Sequence, residues 1–200
     1  MTDLAIVAKK LQEHLSVEYG STVENKEDST LMKAVSFGMD IGSNFSSGLP
    51  GGADFMTRFA TTLAKTIYLP KSIRENPLSL CEVVTHENEH VLQFIDTNVE
   101  FAWFYLTDSV ARAQFEADAY ASGIAVRCWL TGQAPTDSLP WVLDTLVQSY
   151  HLKPEDKPYA ETALKSHMAS IGAGLYMTRS ARTAIDFLTK NYPDLKGTVR

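Results

Sequence analysis

The sequence has few cysteines and no long apolar run, and its first 20 residues do not fit the pattern of a signal peptide; each of these observations argues against a class of protein. Its two cysteines, Cys81 and Cys128, are too few for a disulfide framework and form no C-x-x-C pair. We expect two free thiols, the alternative being one bridge between two helices. No run approaches the ~18 apolar residues needed to span a membrane. Residues 1–20 lack the basic start and apolar run of a signal peptide, so a cytoplasmic location is expected.

The charge balance and composition are those of an ordinary globular domain. Lys and Arg number 18 against 24 Asp and Glu, which gives a net charge of −6. With no basic cluster, neither nucleic acid nor a membrane surface is an expected partner. Hydrophobic residues make up 44% of the 200 residues, enough to bury a core, and a single domain spanning 1–200 is predicted.

Hydrophobic periodicity predicts a predominantly helical α+β domain with one short sheet. A strand is predicted at 61–69, where apolar and polar residues alternate. Residues 18–30 and 42–52 are predicted to be loops, and residues 70–77 a turn region. The pattern at 31–41 fits a helix or a strand, and the aromatic stretch 98–106 is left unassigned. Helices are predicted at 2–17, 78–95, from Thr107 or Asp108 to about 130, and at 138–150, 155–176 and 179–191.

The strongest chemical signal is His-Glu-Asn-Glu-His at 86–90, an H-E-x-x-H pattern within the helix predicted at 78–95. Histidines four residues apart share one helix face, about 6 Å apart along the axis, where both can bind one tetrahedral Zn²⁺. Glu87 lies one step round the helix, placed to accept a proton from a zinc-activated water. The competing interpretation is a solvated face that bears these residues by chance, and the charge of Glu89 between the ligands favours it.

A catalytic zinc site needs a third protein ligand and an open position. No histidine follows His90 in an x-x-Gly-x-x-His pattern, because Gln93 stands in the glycine position. This leaves a carboxylate from a second helix. Glu116 is the best candidate, because it lies mid-helix among alanines that let two helices approach closely. Arg112 would either form a surface pair with Glu116 or orient it. Asp118 is the next choice after Glu116. The other possible ligands are Asp96, Glu100, Asp108, His151 and His167.

These residues resemble the gluzincins, zinc metallopeptidases in which a glutamate from a later helix completes the His-Glu-x-x-His site. The sequences at 64–70 and 85–93 point to a narrower group within this resemblance. A strand ending in Tyr-Leu precedes His-Glu-x-x-His-Val-x-Gln, and Glu-Ala-Asp-Ala follows from Glu116. Together they resemble a group of small peptidase domains of bacterial and phage proteins. The resemblance spans about 61–122, so this stretch would be the metallopeptidase core, with helical additions on both sides.

The resemblance implies a zincin-like fold with a short sheet beside the motif helix. It implies His86, His90 and Glu116 as the zinc ligands and Glu87 as the general base. The strand at 61–69 would be the edge along which an extended substrate pairs. If the chain is virus-encoded, its site of action would be the host cytoplasm.

The predicted function is that of a zinc-dependent metallopeptidase acting on a peptide or protein substrate. Glu87 would take a proton from the attacking water and return it to the leaving amine. A further donor must stabilise the oxyanion. His167 and Tyr120 are preferred, although Tyr120 stands where thermolysin-like members have an aspartate that orients a ligand histidine. The alternative donors are Tyr150, His151 and Tyr159.

Two further segments have a functional and an ordinary interpretation. The Gly/Ser-rich stretch 42–52 would be a lid over the site or a plain loop. The aromatic residues at 101–105 would line a specificity pocket or pack in the core or a subunit contact. Three rival functions remain: a structural protein with a closed metal site, an inactive zincin-like component of a phage or secretion system, and a hydrolase of a non-peptide bond.

Overall fold

The computed structural model describes residues 2–43, 52–150 and 152–199. Within these ranges the chain forms ten α-helices, three strands and three short 3-10 turns. The helices are α1 (Leu4–Tyr19), α2 (Thr30–Ser43), α3 (Gly52–Arg58), α4 (Lys71–Arg74), α5 (Pro77–Thr97), α6 (Val99–Thr107), α7 (Ser109–Thr131), α8 (Leu139–Ser149), α9 (Lys157–Gly172) and α10 (Arg179–Asn191). The strands are β1 (Thr22–Asn25), β2 (Thr61–Leu63) and β3 (Thr66–Leu69).

Local capping signals set the ends of the long helices. The Asp3 side chain accepts a hydrogen bond from the first turn of α1, and Gly20, at φ 64°, ends that helix. At the start of α5, the Asn76 side chain accepts from the backbone of the first turn and Pro77 is the first residue. Asp108 caps α7 in the same way. The six predicted helices are therefore confirmed, and the boundary furthest from prediction is the end of α9.

Three segments that the sequence left open or assigned to a turn are helical. Helix α2 settles the ambiguous stretch 31–41 in favour of a helix. Helix α6 occupies the unassigned aromatic stretch 98–106, and the four-residue α4 lies in the region 70–77, which was predicted to be a turn. The predicted loop at 42–52 lies mostly outside the described residues.

The prediction of a single strand at 61–69 is wrong. The segment is a hairpin, in which β2 and β3 pair antiparallel and the chain turns at Ala64, which has φ 53°. Strand β1 pairs parallel with β3, so Val23 and Thr62 lie opposite Ile67 on its two sides. The strand order is β1-β3-β2, and β2 is therefore an edge strand of this sheet. Apolar and polar residues alternate through the turn as well, so the sequence pattern does not mark where the strand ends.

Strand β1 lies inside the stretch 18–30 that was predicted to be a loop. Its four residues are mostly exposed and polar, so they carry no apolar alternation. Pairing with β3, far along the chain, is what orders them. The result is a predominantly helical α+β architecture with one three-stranded mixed sheet, which confirms the predicted class.

Helices α5 and α7 cross closely at the centre of the molecule. A Cβ atom on Gly123 would lie 2.9 Å from the carbonyl oxygen of Glu82, so a side chain does not fit there without a shift. Glu82 precedes His86 by one turn, and Gly123 follows Glu116 by two turns. The crossing therefore brings the helices with the candidate ligands together. The apolar core runs through both helices and is shared with α1, α8, α9 and α10.

Both cysteines are free thiols. Burial raises the pKa of Cys81 to about 12 and that of Cys128 to about 11. The free-thiol prediction is therefore confirmed, and the alternative of one bridge is wrong. Among the described helices, none combines the length and apolar character that a membrane crossing requires.

Candidate metal centre

The H-E-x-x-H motif lies in the buried middle of α5, where residues 84–93 are all buried. The rings of His86 and His90 have centroids 4.9 Å apart and stand nearly perpendicular. Only 8% of His86 and 7% of His90 is exposed. The motif is thus a buried helix face turned toward α7, and not a solvated one.

Helix α7 brings Glu116 to this face. His86 Nε2 lies 3.7 Å from Glu116 Oε2, and His90 Nε2 lies 3.4 Å from Glu116 Oε1. The ligand atoms of His86, His90 and Glu116 all lie within 4.8 Å of one another. In the described part of the chain this is the one group of three or more such side chains that could hold a metal ion. The three ligands predicted from sequence therefore converge.

The hydrogen bonding of Glu116 fits a metal ion at this cluster. Its carboxylate is fully buried, and Oε2 has no hydrogen-bond partner. No other buried side-chain nitrogen or oxygen of the described residues lacks a partner. Because an unpaired buried oxygen is costly, an unpaired acceptor 3.7 Å from the His86 ring nitrogen fits a position that could hold a cation. Two imidazole nitrogens and one carboxylate oxygen form a ligand set known from catalytic zinc sites, in which the fourth position is open for water or substrate.

The three side chains shift one another's pKa values. Burial opposes protonation of His90, but the charge and hydrogen bonding of Glu116 outweigh it and raise the pKa of His90 above its usual range. Burial likewise opposes ionisation of Glu116, yet the neighbouring histidines and Tyr105 lower its pKa. Burial and the charge on His90 lower the pKa of His86. The directions of these pKa shifts favour a proton on His90 over one on His86 and favour an ionised Glu116.

Glu87 lies beside the cluster and is held by the edge strand. Thr62 Oγ1 in β2 donates to Glu87 Oε2 at 2.6 Å. Glu87 Oε1 lies 4.0 Å from His86 Nε2. Burial raises the pKa of Glu87, although His90, Thr62 and Lys26 oppose the rise. The predicted base therefore has an elevated pKa and a fixed orientation. No feature of the sequence pattern marked Thr62 for this contact.

Lys26 secures the segment that leads into the edge strand. Its ammonium group donates to the carbonyl oxygens of Phe55 and Phe59 and to Thr61 Oγ1, at 2.9, 2.8 and 2.7 Å. The ammonium nitrogen also lies 3.4 Å from the centroid of the Phe55 ring. Burial lowers the pKa of Lys26 to about 8, although Glu87 opposes the shift. Because Thr61 precedes Thr62, this clamp supports the strand that holds Glu87.

Tyr105 in α6 contacts the third ligand. Its hydroxyl donates to Glu116 Oε1 at 2.5 Å, and its ring centroid lies 6.2 Å from that of His90. Phe101, one turn earlier, packs at 4.9 Å on Phe115 of α7. The aromatic residues at 101–105 were predicted to line a pocket or to pack, and two of them pack over the metal cluster. Their neighbours Trp103 and Phe104 are exposed.

Gln93 contacts the second histidine. Its Oε1 lies 2.8 Å from His90 Nδ1, and its Nε2 donates to the backbone oxygen of Phe115 at 2.9 Å. Only 8% of Gln93 is exposed. In the sequence this residue ends the His-Glu-x-x-His-Val-x-Gln run of the resemblance and stands in the Gly position of a longer motif, but neither pattern assigns it a contact. Its spacing of one helical turn from His90 is the signal that could have found it.

The two preferred oxyanion donors lie in different places. The ring of Tyr120 packs edge-on against His86, with centroids 4.7 Å apart, and lies near the ring of Tyr150, with centroids 6.4 Å apart. His167 in α9 instead lies 2.8 Å from Asp118, Nε2 to Oδ1. Asp118 is two residues beyond Glu116, about 200° round the helix, and so faces α9 rather than the histidines. Tyr120 therefore stays beside the site, whereas His167 and Asp118 form a separate pair.

Several other sequence candidates have different contacts. Asp96 pairs with Arg179, and Asp108 caps α7. Arg112 forms neither the surface pair with Glu116 nor a contact that would orient it; it donates to the backbone oxygens of Tyr105 and Tyr150 at 2.6 and 2.9 Å. Tyr150 lies near Tyr120, with ring centroids 6.4 Å apart, whereas Glu100 and Tyr159 are exposed. His151 lies outside the described residues.

Comparison with known proteins gave no match: no family model, no curated protein and no solved structure is similar to the chain. The gluzincin resemblance therefore stays a prediction.

Proposed function

We propose that the protein is a zinc-dependent metallopeptidase with a zincin-like arrangement of its motif helix and edge strand. One observation carries this proposal. His86, His90 and Glu116 converge from two helices, with Glu116 Oε2 unpaired and the base Glu87 beside them. A purely structural metal site has no use for a buried carboxylate held next to its ligands.

The ligand types favour zinc over other common metals. Imidazole suits Zn²⁺, whereas Mg²⁺ and Ca²⁺ prefer sites made only of oxygen ligands. His86, His90 and Glu116 would hold the ion and leave one position for water or substrate. Zinc at such a site supplies Lewis acidity, which lowers the pKa of a water molecule and polarises a carbonyl group.

Glu87 would carry out the proton transfers. Its raised pKa suits a general base that works near neutral pH. The hydrogen bond from Thr62 holds Oε2, and the other oxygen, Oε1, lies on the side of His86. Glu87 would accept the proton of the attacking water and return it to the leaving amine. Among the two preferred donors, Tyr120 has its ring next to His86, and its hydroxyl would serve the oxyanion.

Strand β2 would align the substrate. It is an edge of the sheet, and its Thr62 contacts the base directly. An extended peptide that adds to this edge would run past Glu87, and main-chain hydrogen bonds would set its register. Within the segment 61–69, predicted as the edge that pairs with a substrate, only β2 would serve as that edge.

A second candidate function is a metal-binding protein without activity. The burial of the cluster favours it, because His86, Glu87 and His90 are each at most 8% exposed and Glu116 is fully buried. Such a protein would use the bound ion for stability or for assembly, as a component of a phage or secretion system would. The role of Glu87 separates the two functions.

The deciding experiment combines metal analysis with turnover. We expect about one zinc per chain in the wild-type protein and a loss of zinc in His90→Ala and Glu116→Ala. Glu87→Gln should keep its zinc and lose hydrolysis of a mixed peptide library by a factor of at least about 10². The matched control is Glu13→Gln on the exposed face of α1. No zinc in the wild type refutes the proposal, and equal turnover in Glu87→Gln and wild type refutes the role of the base.

A further inference from the structure

We propose that Gln93 is the positioning residue for the metal centre, and that it holds His90 with its proton on Nδ1 and its Nε2 lone pair turned toward the metal. This inference rests on the proposed function and extends it to a residue outside the ligand set. It follows from two contacts of one side chain, which together leave a single assignment of hydrogens.

The first contact fixes the orientation of the Gln93 amide. One end of the amide lies 2.9 Å from the backbone oxygen of Phe115. A carbonyl oxygen only accepts hydrogen bonds, so the group that faces it must be the NH₂. With the NH₂ turned to Phe115, the Gln93 oxygen has to face α5.

The second contact then fixes the tautomer of His90. Gln93 Oε1 lies 2.8 Å from His90 Nδ1, and an amide oxygen can only accept. Nδ1 must therefore carry the hydrogen. In a neutral imidazole this leaves the lone pair on Nε2, the atom that lies 3.4 Å from Glu116 Oε1 and within the metal cluster. When His90 loses one proton to bind a metal ion, the proton that remains is therefore the one on Nδ1, which is the tautomer that metal binding through Nε2 requires.

Gln93 also couples the two ligand-bearing helices. Its acceptor partner, Phe115, immediately precedes Glu116 in α7, while its own backbone belongs to α5. One buried amide therefore connects the ring of the second ligand to the backbone beside the third. A change at Gln93 should disturb the orientation of His90 and the placement of Glu116 together. Partners of this kind typically contribute 10–100-fold to metal affinity.

The test compares zinc affinity in Gln93→Met and in a matched control. Methionine has nearly the same length but neither donates nor accepts strongly at these positions. The control is Gln114→Met, a neighbour of Phe115 that is exposed. Measured by competition of a chelator for Zn²⁺, Gln93→Met should bind zinc about 10–100-fold more weakly than wild type, and Gln114→Met should bind as wild type does. Equal affinity in the two variants would overturn the proposal.

A spectroscopic measurement on the wild-type protein decides the question even if Gln93→Met fails to fold. In ¹H–¹⁵N spectra of the zinc-loaded protein, we expect the His90 ring proton on Nδ1, slowed in exchange by Gln93, and zinc on Nε2. Zinc on Nδ1 of His90 would overturn the role of Gln93. These outcomes are distinct from failure of the proposed function, in which the wild type binds no zinc at all.

Discussion

Glu89, the charged residue between the two histidines, holds a neighbouring helix. Its Oε2 accepts from the backbone nitrogen of Ser180 at 3.1 Å and from the Ser180 hydroxyl at 2.6 Å. Ser180 lies in the first turn of α10, where backbone N–H groups have no partner within the helix. The carboxylate therefore caps α10 from another helix, at the end where the helix dipole favours negative charge. The charge of Glu89, which favoured a solvated helix face in the sequence, therefore stabilises the start of α10.

Removal of this cap should destabilise the protein measurably. We expect Glu89→Ala to lower the free energy of unfolding by about 1–3 kcal/mol, because the buried Ser180 N–H loses its acceptor. The exposed Glu13→Ala should change it by no more than about 0.5 kcal/mol. Urea denaturation of the metal-free proteins measures both. A Glu89→Ala protein as stable as Glu13→Ala would contradict the capping role.

Single residues of the site differ in how far the sequence could predict them. The H-E-x-x-H spacing identified His86 and His90 directly, since helix geometry alone places them on one face. Glu116 was found from its place in a second helix. Thr62 and Tyr105 were not found, because their contacts with Glu87 and Glu116 depend on how a hairpin and a separate helix pack onto α5 and α7.

At the scale of elements, the crossing of α5 and α7 determines the geometry of the ligands. The two helices approach closely at Gly123, with Glu82 against the position where a Cβ atom would be. Small residues at such a crossing let two backbones approach, and a larger one forces them apart. Because His86 and Glu116 lie one and two turns away, a shift at the crossing carries directly to the ligand distances.

We therefore expect Gly123→Ala to lower both stability and zinc affinity. The added methyl group would contact the Glu82 backbone at 2.9 Å, and overpacking of this kind costs about 1–3 kcal/mol. Gly172→Ala is the control, since its Cβ atom would meet Pro135 at an ordinary 3.8 Å. Denaturation and chelator competition measure the two effects. If Gly123→Ala matched the control in both, the close crossing would not determine the site.

The hairpin at β2 and β3 shows why some elements could not be predicted. Alternation of apolar and polar residues marks a strand but does not mark where it turns, and Ala64 carries no turn signal although it adopts φ 53°. Strand β1 has no apolar pattern and is ordered by pairing alone. The helices, by contrast, carry their periodicity and caps within a few residues of sequence, and so were predictable.

At the scale of the whole molecule, metal binding should appear as thermal stability. A ligand that binds only the folded state stabilises it by about 2.7 kcal/mol at a hundred times its Kd. For a chain of this size that corresponds to a rise in Tm of roughly 5–10 °C. We expect this rise on addition of Zn²⁺ to the metal-free wild type and none in His90→Ala. Differential scanning calorimetry measures it, and an equal rise in both proteins would show that zinc binds elsewhere.

The proton on His90 links the stability of the metal-free protein to pH. Although burial opposes protonation, Glu116 raises the pKa of His90 above its unfolded value of about 6.5. A raised pKa contributes stability that is fully present below the unfolded value and is lost as pH rises through the folded value. Zinc, in contrast, must displace this proton. Its apparent affinity should therefore fall about tenfold for each pH unit below the folded pKa.

Titration of His90 is thus expected to change zinc affinity and the stability of the metal-free protein with pH in opposite directions. As pH rises above about 6.5, the zinc affinity of the wild type should increase, while its stability relative to metal-free His90→Ala should decrease. Chelator competition and urea denaturation across a series of buffers measure the two slopes. A zinc affinity that is independent of pH would mean that His90 is not protonated in the metal-free protein. Parallel stability curves for wild type and His90→Ala would mean that the pairing of His90 with Glu116 contributes nothing to the fold.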